Sequence, residues 1–363
     1  MNASICLNMI VKNEAHVIKR CLDSITGLFD HWVIIDTGST DGTEDLIKDL
    51  LKDVPGEIID RPWVNFGYNR TEAIKLAKDK ADYLMFIDAD DVISTDEEFT
   101  LPKLNKDRYM IDIHHGGIIY QRPFLVSTRI HCEYVGPVHE YLRCSEPHTS
   151  DHLENILIRF IGGGARSLVE PKEKYLGDAE ILKKALLYDP NNPRNVFYLA
   201  QSYRDAGCLE LALIKYEQRS KMFDFEEEVF YSLLQVARIS AIQKYPEEDV
   251  IYRFLSAHEY RPTRAEALGS LAQWCRLNGK RWALSYLFAS RALGIPKPND
   301  ILFVENDWYD WRILDELSIS AYKIGRIEEA KFCIKKILSK STRIPQEDMK
   351  RIIKNGVIII NGV

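Results

Sequence analysis

The chain has 363 residues, of which 46% are hydrophobic and 28% are charged, and its formal net charge is −6. This length suggests two or three domains, and the composition is that of an ordinary globular protein. A negative charge without a block of lysine or arginine argues against nucleic-acid binding, and no apolar stretch approaches the roughly 20 residues of a transmembrane segment.

The cysteines give an expectation about the compartment. The seven cysteines are scattered without a Cys-x-x-Cys pair. An odd number in this arrangement is typical of reduced, mostly buried thiols. The apolar run from Ile5 to Val11 contains Asn8 and is too short for a signal or an anchor. We therefore expect a cytoplasmic protein.

The first half alternates strand and helix patterns. The predicted order is strand 4–11, helix 14–24, strand 32–35, helix 43–51, strand 57–60, helix 69–81 and strand 83–87. Such alternation favours a parallel sheet with helices on both faces. Residues 108–145, with a Gly136-Pro137 turn, instead predict antiparallel strands.

Acidic residues follow three of the predicted parallel strands. Glu14 follows the first and Asp36 the second, while Asp88, Asp90 and Asp91 follow the strand at the end of this series. The carboxyl ends of parallel strands form the crevice in which α/β proteins bind ligands. Capping of the next helix explains any one of these acids, but three successive occurrences are hard to explain by capping alone.

Asp88 and Asp90 are two positions apart, so on a continuing strand their side chains share one face. Two carboxylates on one face can hold Mg²⁺ or Mn²⁺ beside a substrate diphosphate. An isolated Asp-x-Asp pair is a weak signal, and a solvated loop is the simpler interpretation without the motifs around it.

The second half contains an internal repeat after Gly162-Gly163-Gly164 and Pro171. Segments from leucine to glycine recur at 199–207, 271–279 and 317–325, followed by Ala212, Ala283 and Ala330. The leucine packs one helix, the glycine turns the chain, and the alanine lets a second helix approach. This pattern is typical of tetratricopeptide repeats, with an ordinary helical bundle as the alternative. The predicted hairpins lie near 193–222, 226–260, 262–293 and 309–339, and the second lacks a turn glycine.

Four motifs of the first half together resemble glycosyltransferase family 2, of the GT-A fold. They are Ile10-Val11-Lys12-Asn13-Glu14, Asp36-Thr37-Gly38-Ser39-Thr40-Asp41-Gly42-Thr43, Asn69-Arg70 and Asp88-Ala89-Asp90-Asp91. The segments 138–140, 163–167 and 197–203 resemble the branch of this family that carries tetratricopeptide repeats. The resemblance implies an α/β GT-A domain, with a Rossmann-like, mixed, mostly parallel sheet, followed by an all-α domain of tetratricopeptide-like repeats. We expect a GT-A domain at 1–165, a helical linker at 166–192, repeats at 193–345 and a C-terminal tail at 346–363.

The implied activity is metal-dependent, inverting transfer of a hexose from a nucleotide-diphosphate sugar. The expected donor is a UDP-sugar such as UDP-glucose, and the expected metal is Mn²⁺ or Mg²⁺. The acceptor is a glycan, a lipid-linked saccharide or a protein or peptide, and the repeats would bind the acceptor or a protein partner.

The resemblance also assigns roles to residues. The residues expected to bind the nucleotide sugar are Val11, Asn13, Glu14, Asp36, Arg70 and Asp88. The residues expected to bind the metal are Asp88, Asp90 and His139. The expected catalytic base is Glu140, with Asp91 as the second candidate. Many GT-A enzymes place a further histidine after the sheet, but residues 156–164 contain none, so His139 or His152 would have to replace it.

Two other functions are compatible with parts of this pattern. A non-catalytic adaptor would combine a degenerate transferase domain with peptide-binding repeats, but a decayed site is expected to lose Asp36, Asp88 or Asp90, and all three are present. A nucleotidyltransferase would share the sheet and the metal-binding acids, but the first strand is not followed by a glycine-rich basic loop.

Overall fold

The structure is a computed structural model that describes residues 3–96, 99–115, 118–339 and 344–361. The chain forms two compact units, Met1–Pro190 and Asn191–Val363. The division between them falls inside the predicted linker. In the described ranges, no helix has both the length and the apolar character needed to cross a membrane.

The first unit is built on an eight-stranded mixed sheet with the order β3-β2-β1-β4-β7-β6-β10-β5, and β8 pairs separately with β9. The strands are β1 Ile5–Val11, β2 His31–Asp36, β3 Gly56–Asp60, β4 Tyr83–Phe86, β5 Asp91–Thr95, β6 Arg108–His115, β7 Ile118–Ser127, β8 Cys132–Val135, β9 Tyr141–Cys144 and β10 Ser150–Phe160. The strands β1 to β4 are mutually parallel, β7 is antiparallel to both of its neighbours, and β10 is parallel to β6 but antiparallel to β5.

Helices cover both faces of this sheet, as predicted. They are α1 Ile18–Ser24, α2 Thr43–Leu50 and α3 Phe66–Ala77, and α4 Pro171–Tyr188 follows the last strand. Successive side chains of a strand point to opposite faces. Leu7 accordingly packs with Ile18 and Ile47 of α1 and α2, whereas the adjacent Cys6 packs with Ile74 of α3. The mixed, mostly parallel sheet of the α/β prediction is confirmed.

The start of α3 differs from the prediction because a cap, not apolar periodicity, sets it. The side chain of Asn65 accepts a hydrogen bond from the Tyr68 amide at 2.8 Å, which satisfies a free donor at the helix terminus. The buried Asn69 side chain donates to the Pro62 carbonyl and accepts from the Val64 amide, so it fastens the preceding loop.

Cys132 and Cys144 form a disulfide that joins β8 to β9. The prediction that the thiols are reduced is wrong for this pair, although the other five cysteines are free. The two cysteines face each other in the register of the hairpin. Their spacing gave no indication of pairing because the pairing depends on that register.

The second unit is helical. Its helices are α5 Pro193–Asp205, α6 Leu209–Arg219, α7 Glu226–Ile242, α8 Glu247–Tyr260, α9 Glu266–Leu277, α10 Trp282–Leu293, α11 Ile313–Lys323, α12 Ile327–Leu338 and α13 Gln346–Asn361, with a π-helical turn at Trp308–Arg312 before α11. The pairs α5/α6, α7/α8, α9/α10 and α11/α12 are the four predicted hairpins, so the tetratricopeptide-like architecture is confirmed.

The hairpin turns use the left-handed backbone region. Gly207, Gly279 and Gly325 have φ of 77°, 79° and 84°, and Lys244 takes this role in the second hairpin, with φ of 57°. Ala212 and Ala330 are fully buried, as predicted.

In the third hairpin the predicted close-packing position is wrong. Ala283 is exposed. Ala289, six residues later, is fully buried in its place. The sequence spacing from the turn glycine therefore did not identify the alanine on the packed face.

Two further stretches belong to the core. Trp308 and Trp311 are each 2% exposed, so both side chains are part of the core of the helical unit. The stretch predicted to be a C-terminal tail contains α13, because Ile352 and Ile359 pack against Ile334 of α12.

Candidate active site

The loops after β1 and β2 are fastened to each other at the carboxyl edge of the sheet. The Asn13 amide donates to the Ser39 hydroxyl at 2.9 Å, and the Glu14 amide donates to the Thr43 hydroxyl at 2.8 Å. Val11 is register partner of Asp36 on the neighbouring strand. The edge therefore holds Val11, Asn13, Glu14 and Asp36 in one place.

Asp36 is buried, and only one of its two carboxylate oxygens has hydrogen-bond partners among the described residues. Its Oδ1 accepts from the amides of Gly38 and Ser39 at 2.8 and 2.7 Å. Its Oδ2 is buried and has no hydrogen-bond partner in the described part of the chain. A buried acceptor without a donor carries a desolvation cost of about 1–3 kcal/mol, and more when it is charged. This oxygen is therefore suited to receive a ligand N–H or O–H.

The predicted residues of the first loop differ in what they expose. The Val11 side chain belongs to the core, and its carbonyl accepts from Thr37 at 3.0 Å. Asn13 has φ of 57°, and its side chain accepts from the Thr40 amide at 2.8 Å. Glu14 accepts from the Ala165 amide at 3.2 Å. Val11 and Asn13 thus shape the loop, and Glu14 is the one whose carboxylate remains half-exposed at the edge.

Asp88 lies between two arginines. Its Oδ1 accepts from Nη2 of Arg70 at 2.5 Å, and its Oδ2 accepts from Nη1 of Arg122 at 2.9 Å. Burial alone would raise the pKa of Asp88, but Arg70 and Arg122 hold it well below its ordinary value. Asp88 is therefore an ionised anchor for two cations.

Each arginine also holds one of the two predicted bases. Nε of Arg70 donates to Oε1 of Glu140 at 2.8 Å, and Nη2 of Arg122 donates to Oδ2 of Asp91 at 2.7 Å. Asp91 is 2% exposed, and burial raises its pKa to about 6 despite the pairing with Arg122. The structure thus brings Arg70, Asp88, Asp91 and Glu140 together through the two arginines.

Arg122 is the functional candidate that the sequence did not identify. It lies on β7, which pairs antiparallel with β4 so that Leu125 faces Met85. This register carries Arg122 to the end of β4, next to Asp88. The available signal was an arginine within residues 108–145, which the sequence predicts as antiparallel strands.

Asp90 lies under the glycine-rich segment that follows β10. A Cβ placed on Gly164 would be 2.8 Å from Oδ2 of Asp90. Arg20 donates to the carbonyls of both Asp90 and Gly162, which keeps this segment in place. The Asp90 carboxylate accepts no hydrogen bond from described residues, so its oxygens are available to a ligand.

A set of three protein ligands for a metal is not assembled. Over the ranges that the structure describes, no group of three or more His, Cys, Asp or Glu side chains is placed to hold a metal ion. His139 is exposed between β8 and β9, with φ of 52°. It does not join Asp88 and Asp90 in such a group.

His152 is engaged elsewhere and does not replace it. Its Nε2 lies 3.0 Å from Oδ1 of Asp112. Asp112 lies between the core residues Ile111 and Ile113 on β6. Its side chain therefore points to the face of the sheet opposite to that of these two isoleucines.

The site fits a metal ion that is held mainly by the phosphates of a bound substrate. Two guanidinium groups already neutralise Asp88, so it does not fit a direct ligand. Asp90 offers one carboxylate, and Mg²⁺ is commonly held by one or two carboxylates together with substrate phosphates and water.

The fold and this acidic edge agree with one family. Residues 6–113 match the family described as Glycosyl transferase family 2. The chain therefore carries a family 2 glycosyltransferase domain.

Individual relatives are similar over parts of the chain. It is 28% identical over 217 residues to the SPbeta prophage-derived glycosyltransferase SunS of Bacillus subtilis (strain 168), covering 54% of this chain and 49% of that protein. It is 30% identical over 106 residues to an uncharacterized glycosyltransferase of Rickettsia bellii (strain RML369-C), covering 28% and 34%. The crystal structure of MamA aligns with 53% of this chain and 99% of its own at 16% identity and a TM-score of 0.38. The chain spans about half the length of the SunS proteins that it matches.

Proposed function

We propose that this chain is an inverting hexosyltransferase that uses a nucleotide-diphosphate sugar, most simply a UDP-sugar such as UDP-glucose. The acceptor would be a glycan, a lipid-linked saccharide or a protein or peptide. The family match supports sugar transfer, and the composition of the carboxyl edge supports a nucleotide-sugar donor.

The observation that carries the proposal is the unpartnered Oδ2 of Asp36. It is a buried carboxylate oxygen at the carboxyl end of a parallel strand, where α/β folds bind nucleotides. The N3–H of uracil is a donor that would satisfy it. Glu14, on the adjoining loop, would accept from a ribose hydroxyl.

Arg70 is suited to the diphosphate. Its Nε and Nη2 are used by Glu140 and Asp88, but Nη1 makes no hydrogen bond to the described residues. A guanidinium fixed by two carboxylates loses little freedom when its remaining edge binds a phosphate oxygen. Asp88 would therefore act by orienting Arg70 and Arg122.

Asp90 would hold the metal. Mn²⁺ or Mg²⁺ bound by Asp90 and the donor phosphates would neutralise charge that develops on the departing diphosphate. Gly164 contributes by leaving room for the Asp90 carboxylate.

We propose Glu140, rather than Asp91, as the catalytic base. Arg70 occupies its Oε1 and leaves Oε2 without a hydrogen bond from the described residues. Its side chain is 14% exposed, whereas that of Asp91 is 3% exposed. Glu140 would take the proton of the acceptor as the acceptor atom bonds to the anomeric carbon and the bond to the diphosphate breaks.

The donor is tested by calorimetry with UDP-, GDP-, ADP- and CDP-sugars, with and without Mn²⁺. We expect a uridine nucleotide to bind and to raise the melting temperature by mass action. Asp36→Asn should abolish that binding, because the amide presents a donor to the uracil N–H. Asp60→Asn is the matched control, since Asp60 ends the neighbouring strand opposite Asp36. Absence of nucleotide binding by the folded protein would contradict the proposal and favour the adaptor.

The base is tested separately with the donor that binds. Glu140→Gln should retain donor affinity and lose about 10²–10⁴-fold in turnover, the usual contribution of general base catalysis. Turnover that survives Glu140→Gln but is lost in Asp91→Asn would assign the base to Asp91.

A further inference from the structure

The connection between α10 and the π-helical turn is unusually long. It covers residues 294–307, whereas the other connections between hairpins cover only 220–225 and 261–265. Connections in helical proteins are usually about 2–8 residues, and longer ones are commonly functional. Part of it, Asp300-Ile301-Leu302-Phe303-Val304-Glu305, contacts residues of α5, α7 and α9. We refer to it as the 300–305 segment.

Side chains of the helices hold the main chain of this segment. Glu227 of α7 accepts from the amides of Ile301 and Leu302 at 3.0 and 2.6 Å. Arg264, just before α9, donates to the carbonyls of Leu302 and Phe303 at 3.3 and 3.0 Å. A peptide bound without secondary structure satisfies its backbone in this way, through the side chains of its receptor.

Arginines hold both acidic ends. Arg261 donates to the two carboxylate oxygens of Asp300 at 2.7 Å each. Arg238 of α7 donates to the two oxygens of Glu305 at 2.5 and 3.0 Å. Bidentate pairs of this kind add geometric selectivity as well as energy. The two arginines therefore recognise two carboxylates that are a fixed distance apart.

An aromatic contact lies between the ends. The Phe303 ring is 4.9 Å from that of Tyr231 on α7 and 6.3 Å from that of Phe197 on α5. Ile301 is 85% exposed and Phe303 is 42% exposed. The segment thus lies on the outside of the helices, where it covers the buried side chains of Arg264 and Phe197.

We propose that the 300–305 segment is an intramolecular ligand of this surface, and that the surface, once uncovered, binds an extended peptide with the pattern Asp-x-x-aromatic-x-Glu. The repeat face is defined by Phe197, Glu227, Tyr231, Arg238, Arg261 and Arg264. The segment is tethered at both ends, so it competes at a high effective concentration. An acidic partner peptide must displace it. This inference does not depend on the transferase chemistry.

The test uses the full chain and a fluorescent peptide with the sequence of residues 299–306. The segment variant Asp300→Asn/Phe303→Ala/Glu305→Gln uncovers the face. We expect it to bind the peptide at least about 100-fold more tightly than the wild type, given effective concentrations near the millimolar range. Adding Arg238→Gln to the segment variant should remove most of this binding. A folded segment variant that does not bind the peptide, or binds equally well without Arg238, would overturn the proposal.

A second measurement needs no variant of the protein. Millimolar peptide added to the wild type should speed hydrogen exchange at the amides of Ile301 and Leu302, which Glu227 protects. The same peptide with alanine in place of its phenylalanine should not. Unchanged exchange with both peptides would show that the 300–305 segment is a fixed part of the fold.

Discussion

Nη2 of Arg70 lies 2.5 Å from Oδ1 of Asp88. The Arg70 side chain is 16% exposed and also binds Glu140, so one largely buried cation joins the end of β4 to the proposed base. Arg122 adds a second cation on the other side of Asp88. The acidic motif that the sequence displays is thus a charge-balanced network in the folded protein.

Replacement of Arg70 should separate its contribution to stability from its contribution to donor binding. Arg70→Met leaves Asp88 and Glu140 without their shared partner, and breaking such a pair costs about 3–5 kcal/mol. Arg70→Lys should be less destabilising but should still weaken donor binding, because an ammonium cannot reproduce the planar fork. Urea unfolding and donor titration measure the two effects. Arg61→Lys, at a more exposed pair with Glu72, should change stability by at most about 1 kcal/mol.

Arg122 and Asp91 should be coupled in a double-mutant cycle. Arg122→Met strands the buried Asp91 carboxylate, so the free energy of unfolding should fall by about 3 kcal/mol. Adding Asp91→Asn removes the uncompensated charge, so the double variant should be more stable than the sum predicts by about 1–3 kcal/mol. Additivity within about 0.5 kcal/mol would contradict a direct pair.

Gly164→Ala tests whether the position of Asp90 matters. Gly164 has φ of −59° and ψ of 162°, which alanine adopts without strain. The new Cβ must therefore displace the Asp90 carboxylate rather than unfold the loop. We expect a nearly unchanged melting temperature and a 10–100-fold loss, roughly, in Mn²⁺-dependent donor binding. Gly177→Ala in α4, where a Cβ meets nothing, should leave that binding intact.

Lys244→Gly should stabilise the second unit. Lys244 is exposed and has φ of 57°, where a side chain is disfavoured and glycine is not. Relief of this conformational cost is expected to raise the free energy of unfolding by about 0.5–1 kcal/mol. The opposite change, Gly207→Ala, should lower it, and equal effects of both substitutions would contradict this explanation.

Acid should release the 300–305 segment. The bonds from Arg261 lower the pKa of Asp300 from its ordinary 3.8. Burial alone would raise the pKa of Glu305. The charge and hydrogen bonds of Arg238, with contributions from Trp308 and Arg312, instead lower this pKa from its ordinary 4.5. Because both folded-state pKa values lie below the ordinary ones, the stabilisation is present above about pH 4.5 and is lost as the pH falls through the lowered values. Hydrogen exchange at Ile301 and Leu302, corrected for its intrinsic pH dependence, should lose protection in that range. Glu226, Glu227 and Glu266 also face the segment and could be protonated by acid. The variant Glu305→Gln is the control, because it removes the Glu305 charge alone. Its amides at Ile301 and Leu302 should already lose protection at neutral pH.

The sequence alone determined most of the architecture. Apolar runs with acidic ends located β1, β2 and β4, and the spacing of leucine and glycine located the four helical hairpins. These signals are local, since they depend on side-chain periodicity and on the backbone that a turn requires. The family resemblance added the expectation that Asp36, Arg70, Asp88 and Glu140 share one site.

Tertiary structure decided which charges meet. Arg122 reaches Asp88 only because β7 pairs with β4 in one register, and Cys132 meets Cys144 only in the register of β8 and β9. The 300–305 segment likewise reaches Glu227 across 74 residues of sequence. Contacts between distant segments depend on strand register and helix packing, which no local periodicity encodes, so the sequence identified the acids of the site and the fold supplied their partners.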